Sequence, residues 1–197
     1  MSNRLKESFF ARDTILVARG LIGKRLVRLD GNQRISGIIT ETEAYRGEED
    51  LACHCRAGRT PRTEIMYGPA GRAYIYLIYG MYWLLNFVTE IEGSPGAVLI
   101  RAIAPEEGKP TIALRRGTQP EKHWTDGPGK ISIALGINGE LNGLNACASQ
   151  AQIFIENGHD LNPELIKAGP RVGLESVPEP WRSIPWRFVV NYQQLFN

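Results

Sequence analysis

The chain has 197 residues, of which 43% are hydrophobic, and a formal net charge of +2 at neutral pH. This length and hydrophobic content suffice for one sizeable core, so a single domain spanning residues 1–197 is expected. A sequence pI of about 8.5 permits a polyanionic partner without requiring one. Three cysteines, an odd number, argue against a disulfide framework and are typical of a reducing compartment.

The N-terminal segment MSNRLKESFF is polar and lacks the apolar core of a signal peptide. No stretch approaches the roughly 18 apolar residues that a membrane span needs. We therefore expect a soluble, intracellular, cytoplasmic protein with no membrane partner. The basic residues of the middle of the chain predict either a basic face or a solvated surface with scattered charges. They are Arg56, Arg59, Arg62, Arg101, Lys109, Arg115, Arg116, Lys122 and Lys130.

The predicted elements begin with a short apolar helix capped by Asp13, followed by two strands joined at the turn DGN. Residues 46–72 are rich in Gly, Pro and charge and show no period, which predicts a long functional loop. Two strands then flank a tight bend at Gly80, and a third, buried strand follows at GAVLIRAIAP. Two short helices between residues 109 and 137 precede two strands near AQIFIE and WRFVV. The pattern predicts a single α+β domain with a mainly antiparallel, curved sheet flanked by short helices.

Alternation along the predicted strand IITETEAY places Ile39, Glu41, Glu43 and Tyr45 on one face. Two neighbouring carboxylates raise the proton affinity of one of them, which suits a general acid or base. The alternative interpretation is an exposed acidic strand end without a chemical role.

The segment ACHCR holds three possible metal ligands, Cys53, His54 and Cys55. Structural zinc sites usually add a second, distant ligand pair that this sequence does not offer, so no metal is expected. A catalytic cysteine with His54 as its base is geometrically poor, because adjacent residues of an extended segment point apart. For His54 alone, a functional role and a loop histidine satisfied by backbone groups both stay open.

Residues 74–82, YIYLIYGMY, contain four of the seven tyrosines of the chain. A buried tyrosine needs a partner for its hydroxyl, so core strands prefer Val and Ile. The tyrosine row therefore predicts either a rigid, half-exposed β-hairpin or a stacking surface for a flat ligand.

The segment DGPGK is not a phosphate-binding P-loop, because Ile131 follows Lys130 where that motif requires Ser or Thr. It better predicts a helix N-terminus whose N–H groups, together with Lys130, hold one phosphate of a nucleic-acid backbone. A general-base carboxylate, a tyrosine row, a histidine and scattered arginines together indicate an enzyme that acts on a base taken out of a duplex.

Six segments carry a resemblance to a known family: ETEAYRGEEDLACH, RTPR, MYGPAGRAYIYLIYGMYWLLN, AVLIRAIAP, DGPGKISIALGI and RVGLE. They occur in the order seen in the alkyladenine (3-methyladenine) DNA glycosylase family, and the chain resembles a compact bacterial-type member from about Phe9 to Phe188. The resemblance implies a base-excision repair enzyme that flips alkylated or deaminated purines out of double-stranded DNA. It implies hydrolysis of the N-glycosidic bond by water, without a cofactor and without strand cleavage. A monomer is expected, because a one-domain enzyme of this kind gains nothing obvious from forming a dimer.

The resemblance also implies roles at matched positions. Glu43 is implied to be the general base for the attacking water, with Glu41 in support and Arg101 helping to hold the water and the target's phosphate. Three hairpin residues are implied to contact the DNA stack: Tyr79 as the wedge that replaces the extruded nucleotide, with Met81 and Tyr82 supporting the neighbouring bases.

For the base pocket, the resemblance implies that Tyr45 and His54 lie on either side of the extruded base and that Tyr76 completes the stack. Asn86 is implied to discriminate among purines at the pocket floor. Aromatic walls favour cationic alkylated purines by roughly 0.5–2 kcal/mol of cation–π attraction, whereas neutral lesions need hydrogen bonds instead.

Two departures from the family pattern are visible: Thr63 stands where relatives usually carry Asn after RTPR, and the residues around His54 differ. Two other functions compete with the glycosylase interpretation. One is a DNA-binding module with the same fold and weak chemistry; the other is a metal-dependent hydrolase using Glu41, Glu43 and His54.

Overall fold

In the computed structural model, which describes residues 3–191, the sheet is organised around two long antiparallel strands, β2 (Gln33–Arg46) and β5 (Gly96–Glu107). Both strands consist largely of buried residues, as expected for the centre of a sheet. Irregular pairing near residues 36 and 40 of β2 marks β-bulges, which bend a strand. Residues 1–2 and 192–197, which the predicted domain includes, lie outside the described residues.

The other elements are shorter. The strands are β1 (Arg25–Asp30), β3 (Ala73–Ile78), β4 (Tyr82–Val88), β6 (Ile153–Glu156), β7 (Lys167–Gly169) and β8 (Arg187–Val189). The α-helices are α1 (Glu7–Phe10), α2 (Thr14–Leu21), α3 (Lys109–Arg116) and α4 (Pro128–Leu135). The strand order is β3-β4-β5-β2-β1-β6, β8 pairs with β2 and with β7, and every pairing is antiparallel.

The predicted α+β class with a mainly antiparallel sheet and short helices is therefore confirmed. The Asp13 carboxylate caps α2 by accepting from the N–H groups of Ile15 and Leu16. The α1 helix and β7 were not predicted, since four and three residues are too few to show a period. Residues 46–72 contain two 3-10 turns, His54–Ala57 and Glu64–Tyr67. No helix within residues 3–191 is both long and apolar enough to cross a membrane.

Two apolar clusters fix the sheet and the loop above it. The larger one joins α2, α3 and α4 to the sheet and includes Val17, Leu21, Ile38, Phe87, Ile100, Ile112 and Ile131. A smaller cluster lies beneath the loop that carries His54 and includes Cys53, Cys55, Met66, Tyr67, Tyr74 and Val88. The loop thus has a core of its own, which holds it against β3 and β4.

Candidate active site

A cavity of about 370 Å³ opens between the end of β2, the β3–β4 hairpin, β5 and the loop above them. This volume falls within the roughly 300–1,000 Å³ of small-molecule sites. Seven of the predicted site residues line it, together with Tyr74, Val172 and the first residues of α4. The seven are Tyr45, His54, Tyr76, Tyr79, Tyr82, Asn86 and Arg101.

Glu43 lies immediately behind the cavity wall and is 0% exposed. The N–H of Val172 donates to its Oε1 at 2.7 Å, and the Tyr45 hydroxyl donates to its Oε2 at 2.8 Å. The Arg101 Nε lies 3.4 Å from Oε1. These three partners line the cavity, so the carboxylate is separated from a bound molecule by its own hydrogen-bond donors. The alternative of an exposed acidic strand end is wrong for Glu43.

Burial raises the pKa of Glu43 above its ordinary value, and Arg101, the Val172 N–H and the Tyr45 hydroxyl oppose that shift. Glu41 also raises the pKa, but it is the smallest of these influences. The expectation that a carboxylate pair tunes Glu43 is therefore wrong in its main cause. Desolvation dominates because Glu43 is fully buried, while the charge of Glu41 is paired with Arg101 at 3.0 Å and with Arg187 at 3.1 Å.

His54 is held by hydrogen bonds to both ring nitrogens. Its Nε2 lies 3.2 Å from an Arg62 nitrogen, which only donates, so Nε2 accepts and Nδ1 carries the proton. Nδ1 then donates to the Tyr74 hydroxyl at 2.8 Å. Burial, with the charges of Arg62 and Arg56, lowers the pKa of His54 to about 4. His54 is therefore neutral at physiological pH, and its partners are side chains rather than the backbone groups of the alternative interpretation.

The aromatic rings form a continuous wall. The His54 and Tyr76 rings meet edge to face, with centroids 4.6 Å apart, and the Tyr74 and Tyr76 rings lie 5.4 Å apart. On the outer side, the Arg62 guanidinium lies 5.3 Å from the Tyr76 ring. Asn86 is buried, and its amide donates to the backbone oxygen of Tyr74 at 3.1 Å. All four tyrosines of the row line the cavity, and Tyr79 and Tyr82 are also exposed, so the half-exposed hairpin is confirmed and the stacking surface stays a prediction.

The tip of the β3–β4 hairpin is exposed and strained. Tyr79 and Gly80 have φ values of 53° and 68°, and the Met81 N–H donates to the Ile78 carbonyl at 3.1 Å. Two positive φ values in succession favour Asn-Gly in such turns, so a tyrosine at the first position is unusual. Tyr79 is 84% exposed and Met81 63%, whereas Tyr82 is less exposed. The predicted bend at Gly80 with a projecting Tyr79 is confirmed.

The first turn of α4 approaches the cavity closely because it contains a glycine. A Cβ on Gly129 would lie 3.0 Å from the Tyr82 side chain, so glycine permits this contact between α4 and the hairpin. Pro128 and Gly129 line the cavity rim. The Lys130 ammonium group, which is expected to hold a phosphate, lies 2.7 Å from the Asp126 carboxylate and so already has an acidic partner.

The cysteines belong to the interior of the loop. Cys53 and Cys55 are buried, and the Cys55 thiol lies 3.4 Å from the Met66 sulfur. Hydrogen bonding to Cys53 and burial raise the pKa of the Cys55 thiol far above its ordinary value, which disfavours a reactive thiolate. Within residues 3–191, no three His, Cys, Asp or Glu side chains are grouped so that they could hold a metal ion.

Most of the basic residues in the middle of the chain are neutralised locally. Arg101, Lys109, Arg115 and Lys130 each form an ion pair with a carboxylate, as does Arg59 of the loop with Glu64. Scattered, paired charges therefore describe this stretch better than a continuous basic face.

Sequence reasoning missed three residues that support the site. Tyr74 and Arg62 were noticed only as part of a tyrosine row and a basic stretch, yet they fix the tautomer of His54. Arg171 is fully buried and forms an ion pair with Asp50. It belongs to the segment RVGLE, whose importance was indicated by resemblance alone, because no local pattern reveals its partner 121 residues away.

Thr63, the departure from the family pattern, holds the loop together. It is buried, and its hydroxyl donates to the Gly58 carbonyl at 2.9 Å and accepts from the Thr60 N–H at 2.8 Å. The hydroxyl thereby closes the segment between the two 3-10 turns.

Comparison with known proteins gives a consistent result. A family model described as methylpurine-DNA glycosylase (MPG) matches residues 8–194. A relative from Myxococcus xanthus is 44% identical over 192 residues, which is 98% of this chain and 92% of the relative. Relatives from Anaeromyxobacter dehalogenans (strain 2CP-C) and Methanocella arvoryzae are 46% and 45% identical, covering 95% and 93% of this chain and 83% and 90% of their own lengths. All three bear the name "Putative 3-methyladenine DNA glycosylase".

The family model covers nearly the whole chain, and the relatives align over most of their own length. The chain therefore belongs to the methylpurine-DNA glycosylase family.

Proposed function

We propose that this protein is a monofunctional base-excision repair glycosylase. It flips an alkylated or deaminated purine out of duplex DNA and hydrolyses the N-glycosidic bond with a water activated by Glu43. The observation that carries the proposal is a buried carboxylate, anchored on both oxygens, directly behind an aromatic cavity of about 370 Å³. The protein acts as a monomer in the cytoplasm and uses no cofactor.

The aromatic wall supports recognition of an extruded purine. Rings of Tyr45, Tyr76 and His54 offer flat surfaces for stacking, and electron-rich faces attract the cationic bases that alkylation produces. Because His54 is neutral, it adds no charge that would repel such a base. Its proton lies on Nδ1, so the accepting Nε2 edge points to Arg62 rather than to a ligand.

The hairpin tip supports base flipping. Extrusion of a base costs a few kcal/mol, and less for a damaged or mispaired one. Tyr79 projects from a turn whose backbone is held in the left-handed region, and strain of that kind is often retained at functional sites. Its ring would fill the gap in the stack and recover part of the cost, with Met81 and Tyr82 beside it.

The surroundings of Glu43 support proton abstraction from water. A raised pKa brings the carboxylate closer to the operating pH, where a general base is most effective. Arg101 lines the cavity, which supports a role in holding the water and the phosphate of the flipped nucleotide. No lysine occurs among the described residues that line the cavity, which supports direct hydrolysis by water rather than an amine nucleophile.

A second candidate, a damaged-DNA-binding module with weak chemistry, gains support from one observation. Glu43 is 0% exposed, and Tyr45, Arg101 and Val172 stand between it and the cavity. If they keep water from Glu43, the aromatic cavity and Tyr79 would bind an abasic or damaged site without efficient cleavage.

The test is release of free base from three DNA duplexes, one with 3-methyladenine, one with hypoxanthine and one with ethenoadenine, in the presence of EDTA. Native protein should release base from at least one duplex and leave alkali-labile abasic sites, and Glu43→Gln should not. Tight binding of abasic DNA without any release would support the binding module instead. Activity that EDTA abolishes would support the metal-dependent hydrolase.

A further inference from the structure

A second buried charge pair lies behind the same cavity wall. The side chains of Arg171 and Asp50 are both 0% exposed, with two hydrogen bonds between them at 2.5 and 2.9 Å. The guanidinium also donates to the backbone carbonyl of Ala44 at 3.0 Å and to that of Trp181 at 3.1 Å. Neither charge lines the cavity, so the pair does not touch a ligand there.

Arg171 is next to two of the donors that hold Glu43, Val172 in the chain and Tyr45 in space. Val172, whose N–H donates to Oε1 at 2.7 Å, follows Arg171 directly in the chain. Tyr45, whose hydroxyl donates to Oε2, has its ring 4.8 Å from the Arg171 guanidinium carbon. The bond from Arg171 to the Ala44 carbonyl fixes β2 between Glu43 and Tyr45. The contacts of this one residue therefore bear on the positions of both donors.

Asp50 connects the pair to the loop that carries His54. Asp50 accepts from the N–H of Ala52 at 3.0 Å and from the N–H of Arg46 at 3.3 Å, and its carbonyl accepts from the N–H of Cys53 at 2.8 Å. These bonds shape the turn that presents His54 to the cavity. The pair thus joins the end of β2, the His54 loop and the segment at Val172.

From this geometry we infer that Arg171 and Asp50 form a positioning pair for the proposed reaction, which holds Val172, Tyr45 and the His54 loop so that the Glu43 carboxylate keeps its orientation. A buried ion pair is weak evidence for stability, since apolar residues of similar volume often stabilise a core equally well. Its value here is geometric, because arginine makes several hydrogen bonds in fixed directions. The inference rests on the proposed function of Glu43.

The inference yields a readout that a loss of stability alone would not change. The groups that face Glu43 are Arg101 from β5, Glu41 and Tyr45 from β2, Tyr76 from β3 and the Val172 N–H. Arg187 of the adjacent β8 is paired with Glu41. The Val172 and Tyr45 hydrogen bonds lower the pKa of Glu43 against the effect of burial. If the donors shift, that pKa rises further. Because the base must be ionised, the acidic limb of the rate profile should then move to higher pH.

The experiment compares native protein, Arg171→Lys and Asp50→Asn in single-turnover base release between pH 5 and 9. Arg182→Lys is the matched control, because Arg182 forms an exposed pair with Glu179 in the same C-terminal segment. We expect Arg171→Lys to slow release by about 10-fold or more at neutral pH, with the dissociation constant for abasic DNA changed by less than about 3-fold. The acidic limb should move upward by about half a pH unit or more, and Asp50→Asn should change in the same direction.

Each other outcome overturns the inference. If the rate and the acidic limb of the pH–rate profile are unchanged, the pair has no positioning role. The same holds if rate and DNA affinity fall in parallel while the acidic limb does not move. If circular dichroism shows both variants unfolded while the control folds, the pair is a folding element instead. In native protein the Val172 amide resonance should follow the titration of Glu43, and its failure to do so would also overturn the inference. If native protein releases no base, the proposed function itself fails, which is a separate result.

Discussion

The two ends of the site are built in opposite ways. Glu43 is fully buried in a central strand and has a donor on each oxygen. Tyr79 is 84% exposed at a two-residue bend with positive φ angles. A proton-transfer group must be held in one orientation, whereas a side chain that enters DNA has to project beyond the folded surface. The proposed function would thus assign chemistry to the rigid wall and DNA distortion to the tip.

The contrast also separates the expected consequences of mutation. Changes in the wall should alter rate or stability, because they remove buried hydrogen bonds. Changes at the tip should alter DNA binding with little effect on stability, because an exposed side chain has few contacts to lose.

Replacement of the buried base should have the largest effect. Glu43→Gln keeps the shape of the side chain but removes its ability to accept a proton from water, so single-turnover base release should fall by about 10²- to 10⁴-fold. Binding to abasic DNA should be retained. Glu179→Gln, at an exposed pair far along the chain, is the control and should leave the rate unchanged. A Glu43→Gln protein that still releases base at the native rate would break the assignment of chemistry to the wall.

Removal of the Tyr79 ring should have the second-largest effect. Tyr79→Ala deletes an exposed ring and keeps an L-residue at the strained position, so the free energy of unfolding should barely change. Loss of base stacking of about 1–3 kcal/mol corresponds to roughly 5- to 150-fold weaker binding of duplexes that contain a lesion. Fluorescence anisotropy with matched abasic and undamaged duplexes measures this. Leu114→Ala, another highly exposed apolar residue, should have no effect on binding.

What the sequence predicted well depends on short-range chemistry. The bend at Tyr79 and Gly80, the cap at Asp13 and the strand alternation of Glu43 and Tyr45 all follow from residues within a few positions of one another. The family resemblance supplied roles at matched positions, and seven of those residues line one cavity.

What the sequence did not reveal depends on contacts between distant segments. The Val172 N–H that holds Glu43 comes from 129 residues away, and a backbone donor has no sequence pattern of its own. The carboxylate pair of Glu41 and Glu43 was expected to raise the pKa, but the degree of burial decides that, and burial depends on how β5 and the C-terminal segment cover β2.

The loop wall gives a smaller, purely structural test. Thr63→Val replaces a buried hydroxyl by a methyl group and leaves the Gly58 carbonyl and the Thr60 N–H without that partner. The free energy of unfolding should fall by about 1–3 kcal/mol, as measured by urea denaturation. Thr111→Val is the control, since its hydroxyl bonds to Gln33 in an exposed position. An unchanged stability for Thr63→Val would show that the hydrogen bonds of Thr63 do not hold the loop, and that this part of the wall is not rigid.

The smallest expected effect concerns the charge of His54. Arg62→Gln removes one of the charges that lower the pKa of His54, so that pKa should rise from about 4 but stay below 6.5, because burial is the larger cause. Proton NMR of the imidazole measures it, with Arg59→Gln as a control in an exposed pair with Glu64. At pH 5 a fraction of His54 would then be charged, and a charged wall repels a cationic base more than a neutral one. Compared with native protein at pH 5, Arg62→Gln should therefore show a larger decrease in the rate of 3-methyladenine release than in the rate of hypoxanthine release. At pH 8 both rates should return to those of native protein. Equal losses at both pH values would mean that Arg62 acts on the DNA rather than through His54.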